Sequence, residues 1–285
     1  MTRGANDGGG IPLDIFDIIG PVMIGPSSSH TAGAARIGRA ARGLMDDEIA
    51  KAVITLSGSF ARTYRGHGTD RALIAGLMGM AVDDIRLRDS LELAKTAGLS
   101  YEFRLEDIPD AHPNTAVLEL TGVHGGRLSM RACSVGGGAI RVEKLNGMSV
   151  SFSGQLDTLV ICHTDEPGVI ANVSSLIAAL NVNIATMQVF RRSAGGDAVM
   201  VIETDNAPDQ ESVNMIRRLR GVSAERDGEK VIEGRECCAL SGVGLIMPAD
   251  EVVDAMRRVG RQLPASLRET GEGGCAACRL NETGR

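Results

Sequence analysis

The sequence predicts an α+β fold of two domains with a short helical tail, and three observations lead there. Residues 11–151 alternate short apolar strands with Ala-rich helical stretches, punctuated by glycine. Residues 157–227 run strand, helix, strand, strand, helix, strand with clean periodicity. At residues 226–230, Arg-Asp-Gly-Glu-Lys, the composition turns charged, and a stretch with one apolar helical stripe follows within 228–285. A chain of 285 residues is long enough to build two cores. With 2% aromatic residues and no Trp, those cores must be Ala, Val, Ile, Leu and Met.

Charge and hydropathy exclude several classes. The net charge is −6 and no dense Lys/Arg run occurs, which argues against a nucleic-acid surface and against electrostatic membrane attachment. No apolar run approaches the roughly 18 residues of a membrane span. Residues 1–10 are polar and Gly-rich, so they read as a disordered leader and not a signal peptide, and the cytoplasm is the expected compartment.

In the first domain, the stretch Gly25-Pro26-Ser27-Ser28-Ser29-His30-Thr31 sets four hydroxyls and an imidazole side by side after an apolar segment. Pro26 fixes its own φ, and Ser and Thr beside it favour turns and helix caps. Ala32 to Leu44 lacks Pro and is rich in Ala and Arg, so it reads as helix. The serine run then sits at a helix N-terminus, where free N–H groups attract an anion such as a small carboxylate. The alternative is a capped helix with a solvent-facing His30. Ala52 to Ser59 reads as a strand ending in a Gly-Ser turn, followed by Gly66-His67-Gly68-Thr69-Asp70 and a helix from Arg71 to Met80 capped by Thr69 or Asp70. Two His-bearing turns that each precede a helix could converge on one pocket, where a histidine serves as general base or binds a carboxylate. Residues 116–120 and 128–133 are strands around a turn at 122–126. The Gly136-Gly137-Gly138 triplet after Ser134 implies close backbone approach, a sharp bend or a bulge. It is no dinucleotide fingerprint, because no G-x-G-x-x-G opens a helix. His112 and His124 read as loop residues.

In the second domain, residues 159–163 form a strand and Thr164 to Gly168 a turn. Val169, Val173, Leu176, Ile177 and Leu180 repeat at helical spacing. Strands follow at 184–190 and 198–203, then a helix capped by Asp209 and a last strand near 222–226. This is the ferredoxin-like βαββαβ order. Six cysteines are present, and a cytoplasmic chain should not rely on disulfides. Cys133 and Cys162 lie in apolar surroundings and read as inert. Cys275 and Cys278 form a single C-x-x-C pair, and Cys237 and Cys238 are adjacent. One such pair is short of the roughly four ligands that a metal or cluster needs.

The run from Gly25 to Thr31, continued by Gly33, Arg36 and Ile37-Gly38, resembles the signature of iron–sulfur L-serine dehydratase β chains. The Gly-His-x-Thr-Asp turn at 66–70, the Gly76-Leu77-Met78-Gly79 ending and the Ser-x-Gly-Gly-Gly segment at 134–138 match in the same order. Residues 157–227 resemble an ACT domain, through the Asp-x-Pro-Gly turn and the later Asn183-Ile184 pair. The resemblance implies a lyase subunit (L-serine ammonia-lyase) that converts L-serine to pyruvate and ammonia, with a [4Fe-4S] cluster mainly on a partner α chain. The first domain also resembles the allosteric substrate-binding domain that precedes an ACT domain in some D-3-phosphoglycerate dehydrogenases. That leaves a second expectation, a non-catalytic amino-acid-sensing protein. By the first reading His30 and His67 are catalytic, while Ser27, Ser28, Ser29, Thr31, Thr69, Asp70, Gly136 and Gly137 bind substrate. His163, Asp165 and Asn183 occupy the positions that bind serine in serine-sensing ACT domains. Turn chemistry is the other reading, with Asp165 as helix cap and Asn183 as an αL residue. ACT domains also imply a homodimer by edge pairing. The tail resembles the Leu-Arg-Glu-Thr-x-x-Gly-Gly ending of the α chain at 267–274, which makes Cys275 a candidate metal ligand. The body of that α chain is missing, so the chain alone is expected to be inactive.

Overall fold

The computed structural model describes residues 23–222 and, for the backbone alone, the strand 243–246. The leader at 1–10 and most of the tail at 228–285, with Cys237, Cys238, Cys275 and Cys278, lie outside the described residues. A π-helical turn, Ser28–Ala32, runs directly into α1, Gly33–Leu44. Then come β1 (Ile49–Leu56), α2 (Gly58–Thr63) and α3 (Thr69–Leu77). A 3-10 turn at Ile85–Asp89 leads into α4 (Ser90–Thr96). Five strands complete the domain: β2 (Ser100–Leu105), β3 (Thr115–Gly122), β4 (Arg127–Gly136), β5 (Ala139–Leu145) and β6 (Met148–Phe152). They form one sheet in the order β2-β1-β3-β4-β5-β6, with β1 and β2 parallel and the other pairs antiparallel.

β3 and β4 alternate as a half-covered antiparallel sheet should: Leu118, Leu120, Leu128, Met130 and Ala132 are buried between outward-facing polar residues. Ile37 and Leu44 of α1 and Leu73 and Leu77 of α3 belong to the same core. α1 and α3 touch backbone to backbone where Gly38 meets Gly76. A Cβ built on Gly38 would lie 2.9 Å from Leu77 N and 3.0 Å from Gly76 Cα, so no side chain fits between the helices.

The second domain consists of β7 (Asp157–Thr164), α5 (Val169–Ala179), β8 (Ile184–Arg191), β9 (Asp197–Thr204), α6 (Gln210–Arg217) and β10 (Val243–Ile246). The sheet order is β10-β7-β9-β8, antiparallel throughout. Both faces of its centre are covered. Leu159, Ile161, Met200 and Ile202 pack with Val169, Val173, Val213 and Ile216 from the helices. Val160, Cys162, Val199 and Val201 join the core of the first domain instead. This two-sided burial is why β7 and β9 read as apolar runs and not as alternating strands. Arg217 Nη2 also donates to both oxygens of Asp46 at 2.8 Å, tying α6 to the loop after α1.

Several expectations need correction. The Gly58-Ser59 turn is the first turn of α2, whose six residues are too few to show a helical period. The cap of α3 is Gly68 in αL conformation at φ 68°, not Thr69 or Asp70, which lie inside the helix. A residue must leave the chain left-handed there, and glycine does so without a Cβ clash. Asp165 does not cap α5 either; that position is Gly168 at φ 96°. The αL residue after α5 is Asn181 at φ 58°, not Asn183. Residues 221–222 form a turn, the rest of the strand expected at 222–226 lies outside the described residues, and β10 pairs with β7 on the side away from β9. No helix among the described residues is long and apolar enough to cross a membrane.

Candidate functional site

Three segments remote in sequence meet at the start of α1. The first is the serine turn. Ser27 Oγ accepts from His30 N at 3.2 Å, and Ser27 O accepts from Thr31 N at 2.7 Å, so Ser27 is the cap of the turn. The amides of Ser28 and Ser29 lie at the open end, where a helix leaves its first N–H groups without intrahelical partners. The second segment is the 66–70 turn. Thr31 Oγ1 donates to the His67 carbonyl at 3.0 Å and clips the two turns together. The His30 and His67 rings lie edge to face, 4.8 Å between centroids. The third segment is the start of α2. Ser59 Oγ sits 3.0 Å from His30 Nε2, while Ser27 Oγ sits 3.3 Å from Nδ1. Both imidazole nitrogens therefore face hydroxyls, which can donate or accept to suit either tautomer. The buried Phe60 ring backs His30 at 5.4 Å.

The glycine triplet closes the far side. Gly136, Gly137 and Gly138 all have positive φ and turn β4 into β5, with Val135 left as an extra residue between the paired Ser134 and Gly136. The triplet is thus both bulge and hairpin bend. Arg36 Nη1 of α1 donates to Gly138 O at 2.9 Å. Ser134 fills the space beside Gly33, where any added Cβ would meet the Ser134 side chain. Asn114 Nδ2 donates to Ser134 O at 3.4 Å, and Pro113 O accepts from Ser59 N at 2.6 Å, so the 112–114 loop braces α2 and the hairpin together.

Burial, and secondarily the neighbouring His67 ring, hold the His30 pKa below the ordinary histidine value. His30 is therefore neutral at physiological pH and can accept a proton. His67 Nδ1, Thr69 Oγ1 and Ser134 Oγ are buried without a hydrogen-bond partner among the described residues. Buried polar atoms are rarely left unpaired, and these three belong to segments that meet here. Asp70 is buried and caps its own neighbour, its Oδ1 accepting from Arg71 N at 2.8 Å. Sequence reasoning missed Ser59, Phe60 and Asn114. The only signal for Ser59 was its place three residues after a strand end.

The three ACT positions do not form one pocket within a chain. His163 is buried at the end of β7, its Nδ1 donating to Thr164 O at 2.8 Å and its Nε2 without a partner. Asp165 Oδ2 accepts from Arg191 Nη1 at 3.0 Å and Gly195 N at 3.2 Å; the Arg191 bond, first among the causes, lowers its pKa. Asn183 Nδ2 donates to Asp205 Oδ2 at 2.6 Å. His163 pairs with Ala198 and Ala198 with Arg191, whereas Ile184 pairs with Thr204. Six residues of β9 separate the two ends, about 20 Å at strand rise.

The described residues do not suit an iron–sulfur cluster. They contain no cluster of three or more His, Cys, Asp or Glu side chains able to hold a metal. Cys133 and Cys162 are both buried, one in each sheet. Burial, reinforced by Glu143, pushes the Cys133 thiol up to about 11. Cys275 lies outside the described residues.

The serine dehydratase beta chain family matches residues 13–109 and the ACT domain family residues 158–221. A probable L-serine dehydratase β chain of Bacillus subtilis is 42% identical over 208 residues, covering 73% of this chain and 94% of that protein. The L-serine dehydratase β chain of Peptoniphilus asaccharolyticus is 37% identical over 191 residues, 67% of this chain and 86% of that protein. D-3-phosphoglycerate dehydrogenase of Bacillus subtilis is 26% identical over 196 residues, 64% of this chain but 37% of that protein. The motifs at 25–31 and 66–70 thus sit in a fold, and among relatives, that agree, and the chain belongs to the L-serine dehydratase β-chain family.

Proposed function

We propose that the His30–His67 face is this chain's contribution to a serine-deaminating site completed by an α chain that bears the [4Fe-4S] cluster. The observation that supports this most directly is the pair of rings 4.8 Å apart, ringed by hydroxyls and by buried polar atoms without partners. The described residues offer no ligand set for the cluster; on the family resemblance the α chain would hold it, and it would supply Lewis-acid activation of the leaving hydroxyl. Turnover of L-serine to pyruvate and ammonia requires removal of the α-proton and loss of the hydroxyl. The Ser28 and Ser29 amides, with Thr69 Oγ1 and His67 Nδ1, receive the substrate carboxylate. Ser59 Oγ, hydrogen-bonded to Nε2, relays the substrate's proton to neutral His30, taking that proton as its own hydroxyl proton passes to the ring. Gly136 and Gly137, with no side chains, let substrate approach the hairpin backbone.

The exposed edge of β8 supports a homodimer through the second domain. Antiparallel pairing of β8 with β8 of a second copy would set Asn183 of one copy at the His163–Asp165 end of the other. That arrangement would complete an effector site that one chain cannot form.

The test is anaerobic reconstitution with the cognate α chain. The β chain alone should form no pyruvate from serine. His30→Ala and His67→Ala should each lower serine-dependent pyruvate formation in the mixture by about a hundredfold or more, without changing oligomer size. Rates near the parent in both variants would remove the assignment.

A further inference from the structure

Between the two domains lies an open cleft of about 380 Å³ that no part of the site above uses. That size falls within the range of small-molecule pockets. Its wall includes Val135, Ala139 and Arg141 of the β4–β5 hairpin, Phe152 of β6, Gln188 of β8 and Glu203 of β9. Glu203 is only 8% exposed. Its Oε1 accepts from Ser153 Oγ at 3.2 Å and its Oε2 from Thr186 Oγ1 at 2.7 Å. No cation among the described residues pairs with it: the ion pairs there involve Asp46, Asp47, Asp84, Asp165, Glu92, Glu102 and Glu143. A buried carboxylate held by neutral hydroxyls lacks the charge partner that burial normally demands. Arg141 stands on the same wall. It donates to Glu143 through Nη2 at 3.1 Å, and a guanidinium has further N–H groups to offer.

We propose that this cleft binds an α-amino acid as its zwitterion, with the ammonium on Glu203 and the carboxylate on Arg141. The ligand supplies the cation that Glu203 lacks and the anion that matches a planar fork of donors. Val135, Ala139 and Phe152 enclose the side chain. The cleft also shares its hairpin with the His30 site, since Gly138 O of that hairpin holds Arg36 of α1. This inference stands without the catalytic reading above, because none of its residues belongs to the His30–His67 cluster.

Calorimetric titration of the full chain with glycine, L-serine and L-methionine tests it. At least one should bind, and glycolate and ethanolamine, which lack the ammonium and the carboxylate respectively, should bind roughly tenfold more weakly or not at all. Glu203→Gln and Arg141→Met should each weaken the amino acid roughly tenfold or more. Circular dichroism confirms folding, and Arg141, being about half exposed, gives a second variant if Glu203→Gln is unstable. His30→Ala and Asn183→Ala should leave the affinity unchanged. Absence of binding by all three amino acids overturns the proposal. So does equal affinity in folded Glu203→Gln or Arg141→Met, and so does loss of binding in His30→Ala or Asn183→Ala, which would place the ligand elsewhere.

Discussion

Gly76→Ala probes the contact on which the His30–His67 geometry depends. A Cβ built on Gly76 meets the Ala35 carbonyl oxygen, and lies 2.8 Å from Arg39 N and 2.9 Å from Gly38 Cα. All three are backbone atoms of α1, so no side chain can swing aside. Ordinary contact needs about 3.5–4 Å, so α3 must move by about 1 Å from α1. Overpacking of this kind costs about 1–3 kcal/mol or more, while alanine returns about 1 kcal/mol of helix propensity. We expect a net loss of about 2 kcal/mol, which lowers Tm by about 4–8 °C in a chain of this size. Because His67 precedes α3 and His30 precedes α1, the same shift should separate the rings and reduce pyruvate formation in the reconstituted enzyme. The assay is thermal unfolding of the chain beside Gly66→Ala, where the nearest atom to a new Cβ is Thr63 O at 3.8 Å and no change is expected. A Gly76→Ala chain as stable as the parent would refute the claim that backbone contact sets the helix spacing.

The depressed pKa of His30 makes stability depend on pH. Between the unfolded value near 6.5 and the lower folded value, the unfolded chain binds the extra proton, so stability falls as pH drops through that window and is fully present above it. His30→Asn should flatten the dependence of Tm on pH below 6.5, and an unchanged slope would contradict the burial of that ring. Cys133, with its thiol pushed up to about 11, should be nearly all protonated at pH 8, about one thiolate in a thousand. Peptide mapping after brief iodoacetamide treatment should find it unmodified in the native chain and modified after unfolding in urea.

Much of this arrangement is legible in the sequence where the signal is local. The serine turn reads as a helix N-terminus because its hydroxyl residues favour caps and a Pro-free Ala-rich stretch follows, and in the structure Ser27 supplies the cap. The helix at 169–179 shows its buried face at Val169, Val173 and Ile177, as its spacing announces. Ser59 does not show itself, because a six-residue helix is shorter than two periods and its glycine looks like a turn. β10 is equally hidden: Val-Gly-Leu-Ile has no alternation, and only its pairing with β7 makes it a strand. The ACT positions show a motif along the chain without showing their separation in space. Asp165 and Asn183 match a motif along the chain, yet β9 runs between them and holds them at opposite ends of the sheet.

By itself the sequence determined the helix after the serine turn, the strand, helix, strand, strand, helix run of the second domain, the two histidine turns and the family, because caps, periods and motifs are written among neighbouring residues. Only the tertiary structure decided that the two turns touch, that Ser59 reaches His30, and that Glu203, with no ion-pair partner among the described residues, faces an interdomain cleft. Those outcomes depend on how closely Gly38 lets α1 approach Gly76 and on how two sheets share one core. Distances between residues far apart in the chain set them, and no local pattern records such distances.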